Sequence, residues 1–277
     1  MNVASRLRAN RVTLAHGGGG QAMRDLIEEV FAAAFKPESM EDQARLEHAA
    51  LREAGARLAV TTDSFVVSPL EFPGGDIGTL AVNGTVNDLA VGGARPLWLS
   101  AAFIIEEGFE VARLRQIVDS MAGAAEAAGV SVVTGDTKVV DKGSADGLFI
   151  TTTGIGVIPP GRDLAAVNVR PGDVALVNGV LGNHGAAILA ARGDMALSVE
   201  LESDYRPLHA LMEAVIAAAP DVRAARDATR GGLAAVLNEI AGAAGCGIKI
   251  DEVAVPLRPE VTGVCEILGL DPALPCQ

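Results

Sequence analysis

Segments with the alternating pattern of β-strands and segments with helical spacing follow one another along nearly the whole chain. The stretch 57–67, RLAVTTDSFVV, has the composition of a strand, whereas 110–129 has the apolar repeat of a long helix that ends at Gly129. This alternation predicts a mixed α/β fold of the α+β type. Other segments with these patterns are a helix over 23–35, a small-residue helix over 76–94 and strands over 96–106, 130–140 and 147–159.

Turn-forming residues at both ends of 159–173, PPGRDLAAVNVRPGD, predict a boundary between two domains. The chain of 277 residues is long enough for two cores. The first domain is predicted over 1–160 and the second over 170–277. The patterns expected in the second domain are a strand over 174–182, a helix after His184, helices at about 207–218 and 231–244, and a strand over 247–257.

The formal net charge of −13 restricts the partners that the chain can bind. Nucleic acid is disfavoured because phosphate-backbone affinity needs clustered Lys and Arg. No apolar run reaches the length of a membrane span, and the N-terminus lacks the apolar core of a secretory signal. Three cysteines, Cys246, Cys265 and Cys276, do not form a disulfide framework. A cytoplasmic location is therefore expected, and Cys246 and Cys265 lie in apolar surroundings typical of a core.

Three aspartates lie at or just after the ends of apolar segments and are candidate metal ligands. Asp63 lies in TTDSF, Asp88 in VNDLA and Asp136 in TGDTK. Such carboxylates suit Mg²⁺, which prefers one or two carboxylates together with phosphate oxygens and water. Lys138 follows Asp136 by two residues, so both side chains share a face if the stretch is extended. The alternative is that each aspartate only caps a helix or stabilises a turn.

Two glycine-containing segments are candidate phosphate sites. In DATRGG, Asp227, Thr229 and Arg230 precede a double glycine that opens a helix, where free N–H groups attract anions. The run Gly17, Gly18, Gly19 and Gly20 also precedes a helix but matches neither a Walker A loop nor a dinucleotide fingerprint. The alternatives are an ordinary N-cap with a tight turn for the first segment and a loose joint for the second.

Several long motifs together resemble the hydrogenase maturation protein HypE family. The resemblance runs from about residue 12 to 271. It implies a PurM-like fold, shared with aminoimidazole ribonucleotide synthetase, selenophosphate synthetase and thiamine-monophosphate kinase. In that fold an N-terminal ATP-binding domain dimerises through its sheet and a C-terminal α/β domain follows. The motifs that carry the resemblance are LAHGGGGQAM, EDQARL, TTDSFVVSPLEFPGGDIGTLAVNGTVNDLAVGGA, VTGDTKVV, LGNHGAAIL, DATRGGLAAVLNEIA and GVCEILGLD.

The resemblance implies a homodimer that uses ATP and Mg²⁺ to dehydrate an S-carbamoyl cysteine to a thiocyanate. The carbamoyltransferase HypF would load the thiol, and the cyano group would pass to iron on a HypC–HypD complex. The residues implied are Asp63, Asp88 and Asp136 for metal; Lys138, Asp227 and Arg230 for catalysis; and Gly17, Gly18, Gly19, Gly20, Asn87, Thr134, Gly135, Thr137 and Thr229 for the nucleotide. His16 and His184 are interpreted as structural histidines at turns.

The end of the chain departs from the family pattern. The family continues beyond LGLD with an Asn-Glu-Gly strand and ends in Pro-Arg-Ile-Cys, whereas this chain ends in LGLDPALPCQ. The second domain is therefore expected to be incomplete. Cys276 is the carrier thiol by position, on a shortened tail; the favoured alternative is a truncated end on which Cys276 is incidental. Two other possibilities are an ATP-binding fragment and a non-catalytic maturation scaffold.

Overall fold

A computed structural model describes residues 7, 9–18, 20–38, 44, 46, 51–52, 57–193, 201–229 and 231–271. Among these residues, no helix is both long and apolar enough to cross a bilayer. Two hydrophobic cores are present, a large one before residue 151 and a small one after residue 185. The description below therefore starts with the larger, N-terminal part and moves to the second.

A four-stranded mixed sheet forms the framework of the N-terminal part. Its strands are β1 (Arg57–Phe65), β4 (Arg95–Glu106), β5 (Ser131–Val140) and β6 (Leu148–Ile158), in the spatial order β1-β6-β4-β5. The pair β4 and β5 is parallel, whereas β6 runs antiparallel to both β1 and β4. A short hairpin, β2 (Glu71–Phe72) and β3 (Gly75–Asp76), separates β1 from the first long helix. All four predicted strands of this part are confirmed.

Helices cover one face of the sheet. The first helical segment is α1 (Gly20–Leu26), which continues through a π-helical stretch (Ile27–Ala32) into α2 (Ala33–Phe35). The two long helices are α3 (Ile77–Val91) and α4 (Val111–Ala128). The Asp76 carboxylate caps α3 by accepting from the Thr79 N–H at 2.8 Å. Gly78 lets α3 approach α4 closely, because a Cβ there would collide with the carbonyl oxygen of Ile117.

The alternation of buried and open positions shows which face of each strand meets the helices. On β4, Leu99, Ala101, Phe103 and Ile105 are all buried against the helices. The opposite, open face carries exposed apolar side chains on the edge strand β1, with Leu58 57% exposed and Val60 63% exposed. Since the sheet is covered on one side only, the open face is a surface that another molecule could bury.

The second part is built from helices and extended connections. Its helices are α5 (Asn183–Arg192), α6 (His209–Ala218), α7 (Gly232–Ala244) and α8 (Pro259–Leu268). The small core joins α5 and α8 and includes Cys265, which is 2% exposed, as expected for a core thiol. Cys246, in contrast, is only half-buried. The helices α5, α6 and α7 confirm the three helices predicted from the sequence, whereas α8 was not predicted.

The two strands predicted in the second part, over 174–182 and 247–257, are wrong. Neither segment contains a strand, Glu252–Ala254 form a short 3-10 helix, and the only pairing of these segments among the described residues is an isolated parallel bridge between Leu181 and Leu257. Val174 and Leu176 are 81% and 92% exposed, so neither side chain packs closely against the described part of the chain. An apolar alternating sequence is insufficient for a strand when no partner offers ladder hydrogen bonds.

A charged contact links the predicted domain boundary to the second part. The Arg162 guanidinium donates to both carboxylate oxygens of Glu213 on α6, at 2.6 and 2.5 Å, and to the carbonyl oxygen of Gly93 at 3.3 Å. This pairing is bidentate, and the Arg162 side chain is only 18% exposed. The ion pair lowers the pKa of Glu213. It therefore stabilises the contact between the end of α3 and α6.

Replacing Arg162 with Ala should lower the free energy of unfolding by about 1–3 kcal/mol at pH 7, because the charge-assisted hydrogen bonds are lost. Since the pKa of Glu213 is lowered in the fold, its contribution is present above the ordinary Glu pKa and is lost as the pH falls through the folded-state value. Urea unfolding at pH 7 and near pH 3 measures the difference in unfolding free energy between Arg162→Ala and the wild type. Arg226→Ala, which removes an exposed pair 3.8 Å apart, is the control; an equal loss in both variants contradicts the prediction.

Candidate active site

Two of the predicted metal ligands meet on the helix-covered side of the sheet. Asp63 pairs in register with Thr152, which is buried against α3, so the Asp63 side chain points to the same side. Asp88 lies on α3 above β1, and the Thr61 hydroxyl donates to its Oδ2 at 2.9 Å. Thr61 lies two residues before Asp63 and therefore shares its face. The strand end and the helix thus bring both carboxylates to one place.

Asp227 joins these two carboxylates from the second part of the chain. The pKa of Asp88 is raised, first by burial and then by the negative charges of Asp227 and Asp63. The pKa of Asp227 is also raised, again first by burial, while the Thr229 hydroxyl donates to it and opposes the change. Like charges raise one another's pKa only at short range. Carboxylates that are far apart in sequence therefore form one partly buried acidic site between the two parts.

The segment after Asp227 leads into a helix N-terminus beside this acidic site. Gly231 has φ +78° and precedes α7, a conformation that glycine adopts without strain. The Gly232 N–H donates to the Thr229 carbonyl oxygen at 3.0 Å, so the N–H groups of the next two residues of α7 are those without a helical partner, as expected for an anion site. Arg230 lies outside the described residues. The predicted grouping of Asp227, Thr229 and a helix start is thus present, with the role of Arg230 still a prediction.

Asp136 and Lys138 lie on the open side of the sheet, so within one chain they do not meet Asp63 and Asp88, and their metal-binding and catalytic roles stay predictions. In the register of β4 and β5, buried Phe103 pairs with buried Thr137, and the flanking residues Asp136 and Lys138 point to the open face. The strand β5 is also the edge opposite β1. The sequence pattern does not indicate which face of the sheet an aspartate occupies. That face depends on the register of its strand with the neighbouring strands.

The other predicted nucleotide ligands on β5 differ in their surroundings. Thr134 is exposed on the open face beside Asp136, whereas Thr137 is 5% exposed and faces the helices. A Cβ at Gly135 would collide with the carbonyl oxygen of Ala101, so packing against β4 already requires glycine there. Thr134 is therefore the member of this group with an accessible side chain. A nucleotide-binding role for the three remains a prediction.

The glycine run lies against the edge strand β5. Gly17 approaches β5 so closely that a Cβ would lie 2.8 Å from the Val139 backbone nitrogen. Gly18 has more space, since its Cβ would lie 3.6 Å from the carbonyl oxygen of Leu14. Gly20 has φ +78° and begins α1, while Gly19 lies outside the described residues. The run therefore lies next to Lys138, on the sheet edge opposite Asp63.

Replacing Gly17 with Ala should displace the glycine run or destabilise the fold by about 1–3 kcal/mol, because the new methyl group overlaps β5. Gly18→Ala is the matched control and should change the free energy of unfolding by less than about 1 kcal/mol. Thermal melts of both variants make the comparison. Equal stability of the two variants, with an unchanged crystal structure of Gly17→Ala, contradicts the close approach.

The two histidines make contacts of the kind expected for structural residues. His16 is 4% exposed, and its Nδ1 accepts from the Thr13 N–H at 3.0 Å. His184 Nδ1 lies 2.8 Å from the Ser203 hydroxyl oxygen, and burial lowers the pKa of His184. Its ring also packs edge-on against Phe72 at 5.4 Å. These contacts support the structural interpretation of both residues.

Asn87 has partners that the sequence did not indicate. It is 8% exposed; its side-chain N–H₂ group donates to the Arg206 carbonyl oxygen at 2.9 Å, and its Oδ1 accepts from the Leu208 N–H at 2.7 Å. Both sides of the amide are therefore engaged by the second part of the chain. Thr61 was also missed, although its position two residues before Asp63 on a strand was a usable signal.

Comparisons with known proteins identify the family to which the chain belongs. Residues 41–158 match the family of AIR synthase related proteins, N-terminal domain, and residues 170–274 match its C-terminal domain. Carbamoyl dehydratase HypE of Rhodobacter capsulatus is 73% identical over 266 residues, which are 96% of this chain and 78% of the relative. The chain belongs to the HypE family of carbamoyl dehydratases. Its PurM-like, mixed α/β fold is therefore confirmed.

Two solved structures of the HypE family extend the comparison. The crystal structure of hydrogenase maturation protein HypE in complex with ATP superposes with a TM-score of 0.89 at 44% identity and covers 95% of this chain and 77% of that one. The HypE–HypF complex matches with a TM-score of 0.76 at 49% identity, covering 90% and 80%. The architecture described above is therefore that of the HypE family.

Proposed function

We propose that this chain uses ATP to dehydrate an S-carbamoyl cysteine to a thiocyanate, which supplies cyanide ligands during [NiFe] hydrogenase maturation. The observation that carries the proposal is the meeting of Asp63 and Asp88 with Asp227 across the two parts of a HypE-family chain. A phosphoryl-transfer site needs charged groups held around the phosphates. This acidic site lies beside a helix N-terminus, where such a phosphate would be bound.

The names of the relatives support the choice of ATP and HypF as participants in this reaction. One relative is named a carbamoyl dehydratase, one solved relative is a complex with ATP, and another is a complex with HypF. We therefore assign ATP as the nucleotide and HypF as the carbamoyltransferase partner. A HypC–HypD complex is the proposed acceptor of the cyano group, and the cytoplasm is the proposed location.

The acidic site fits Mg²⁺ when the nucleotide supplies part of the coordination. Among the described residues, no group of three His, Cys, Asp or Glu side chains is assembled as a metal cage. Mg²⁺ does not require one, since it takes one or two carboxylates with phosphate oxygens and water. Burial raises the pKa values of Asp88 and Asp227 although the positive charge of Arg226 opposes it, so a bound divalent cation would offset the cost of burying these carboxylates. Bound there, Mg²⁺ would neutralise charge on the transferring phosphoryl group.

The chain's own residues would act as follows. Asp63 and Asp88 would hold the metal from the first domain, and Asp227 would act as a catalytic residue from the second. Thr61 would fix the orientation of Asp88, and the N–H groups at the start of α7 would bind phosphate oxygens. The γ-phosphoryl group would pass from ATP to the carbamoyl oxygen, which turns a poor leaving group into phosphate. Loss of both nitrogen protons and of phosphate would then leave the S-bound nitrile.

Asp136 and Lys138 would reach the same nucleotide from a second copy of the chain. Within one chain they lie on the opposite face of the sheet from Asp63 and at its opposite edge. The open face also carries the exposed side chains of Leu58 and Val60, which a face-to-face dimer would bury. We therefore propose a homodimer in which Lys138 of one copy stabilises the phosphoryl group bound at Asp88 of the other.

Intact mass spectrometry of the chain, before and after incubation with HypF, carbamoyl phosphate and Mg-ATP, tests the function. The expected result is the gain of one carbamoyl group followed by the loss of one water, with Cys276 (outside the described residues) as the thiol to examine first. The same incubation with Cys276→Ser should then show no modification. Modification that persists in Cys276→Ser assigns the carrier to another thiol, and no modification of either protein, with ATP still bound, favours an ATP-binding fragment or scaffold.

A further inference from the structure

The face of α3 that meets the second part of the chain is marked by three polar residues at intervals of four. Thr79, Asn83 and Asn87 therefore lie in line along the helix. The Thr79 hydroxyl contacts the Tyr205 hydroxyl at one end of the line. Asn87 holds the backbone of 206–208 at the other end. Thr79 and Asn87 thus form a seat for the segment that precedes α6.

The Asn87 carboxamide supplies the contact that α6 lacks at its own N-terminus. Leu208 occupies the N-cap position of α6, where no side chain of the segment caps the helix. Its N–H instead donates to Asn87 Oδ1 at 2.7 Å, while the Arg206 carbonyl oxygen accepts from Asn87 Nδ2 at 2.9 Å. A buried amide with both sides paired fixes a single register of the two segments, since any shift would leave its polar atoms unpaired.

The position of Asn87 on α3 couples this seat to the acidic site. Asp88 is the next residue on the same rigid helix and turns toward β1, where Thr61 donates to it. The segment that Asn87 holds continues through α6, which Arg162 also binds, to Asp227. Asn87 therefore lies where the second part of the chain is fixed relative to Asp88.

We propose that Asn87 is a positioning residue that holds Asp227 against Asp88, rather than a ligand of the nucleotide. This inference rests on the proposed function, because Asp227 matters only if the acidic site transfers a phosphoryl group. A misplacement of about 1 Å in such a site costs about 10²-fold in rate. Binding of ATP should depend on Asn87 less than turnover does, because the proposed metal ligands Asp63 and Asp88 both belong to the first part of the chain.

Steady-state ATP turnover of the full-length chain, with HypF and carbamoyl phosphate present, tests the proposal. Asn87→Ala is expected to lower kcat by about 30- to 100-fold and to leave KM for ATP within about threefold. Asn87→Asp keeps the oxygen that accepts from Leu208 and should lose less. Asn238→Ala, which removes an exposed amide that donates to the Ala234 carbonyl oxygen at 2.8 Å, is the matched control and should behave as the wild type.

A double-mutant cycle with Asp227→Asn separates positioning from general loss of structure. If Asn87 acts through Asp227, then Asn87→Ala should change kcat by less than about threefold in the Asp227→Asn background. Losses in kcat that multiply in the double variant overturn the proposal. A rise in KM at unchanged kcat also overturns it, because that result makes Asn87 a nucleotide ligand.

Hydrogen exchange gives a readout that does not depend on activity. The Leu208 amide is expected to exchange at least about tenfold faster in Asn87→Ala, and more slowly in Asn87→Asp than in Asn87→Ala. Wild-type protection of Leu208 in Asn87→Ala overturns the proposal even if the wild-type chain shows no turnover. Absence of turnover in the wild type with the expected exchange result contradicts the proposed function alone.

Discussion

Replacing Asp88 with Asn is expected to lower ATP turnover by about 100-fold or more and to make the ligand-free protein more stable. Turnover falls because a neutral amide cannot hold the metal against the phosphates. Stability rises because the pKa of Asp88 is raised by burial and by Asp227, so its ionised form is disfavoured in the folded state. Asparagine keeps an oxygen that can accept from Thr61. The melting temperature should rise by about 1–4 °C at pH 7.

The sign of the pH dependence tests whether the higher stability of Asp88→Asn comes from the raised pKa of Asp88. A carboxyl whose pKa is raised in the fold contributes stability below its unfolded pKa and loses that contribution as the pH rises through the folded value. The difference in melting temperature between Asp88→Asn and the wild type should therefore be largest at pH 7 and vanish below about pH 4. Scanning calorimetry at both pH values measures it.

Asp119→Asn is the control for the removal of one negative charge. Asp119 is exposed on α4, away from the acidic site. The Asp119→Asn variant should leave turnover unchanged and shift the melting temperature by less than about 1 °C. Wild-type turnover in Asp88→Asn, or a lower melting temperature than the wild type at pH 7, would remove Asp88 from the site.

The N-terminal sheet and its helices could be predicted because their signals are local. The small-residue helix expected over 76–94 is found over Ile77–Val91, with Gly92 and Gly93 ending it as expected. The strand over 57–67 is found over Arg57–Phe65. In these segments the periodicity of apolar residues and the turn residues at their ends agree with the final packing, so no distant contact is needed.

The remaining features depend on contacts between distant residues. Asn87 and Leu208 are separated by 121 positions, and no local pattern shows that the amide of one binds the backbone of the other. The strands expected over 174–182 and 247–257 had the apolar alternation of a strand but find no ladder partner within the described part of the chain. The side of Asp136 likewise follows from its pairing with Ala102 and not from its neighbours in sequence.

Subunit complementation is expected to show that residues on opposite faces of the sheet, contributed by two copies of the chain, act on the same nucleotide. Asp63→Asn removes a carboxylate on the helix-covered side, whereas Lys138→Ala removes a cation on the open face of β5. Each variant alone should lose ATP turnover by about 30-fold or more. A heterodimer of the two, purified through different affinity tags, should recover about half of the wild-type turnover, because one of its two sites contains both intact residues.

The matched control combines two defects from the same side of the sheet. A heterodimer of Asp63→Asn and Asp88→Asn has at least one defective carboxylate in each site, because Asp63 and Asp88 come from the same chain. It should remain inactive, and recovery there would show that activity returns for another reason. If the Asp63→Asn and Lys138→Ala heterodimer also remains inactive, Lys138 does not serve the neighbouring copy. In that case the separation of Lys138 from Asp63 across the sheet excludes it from the site altogether.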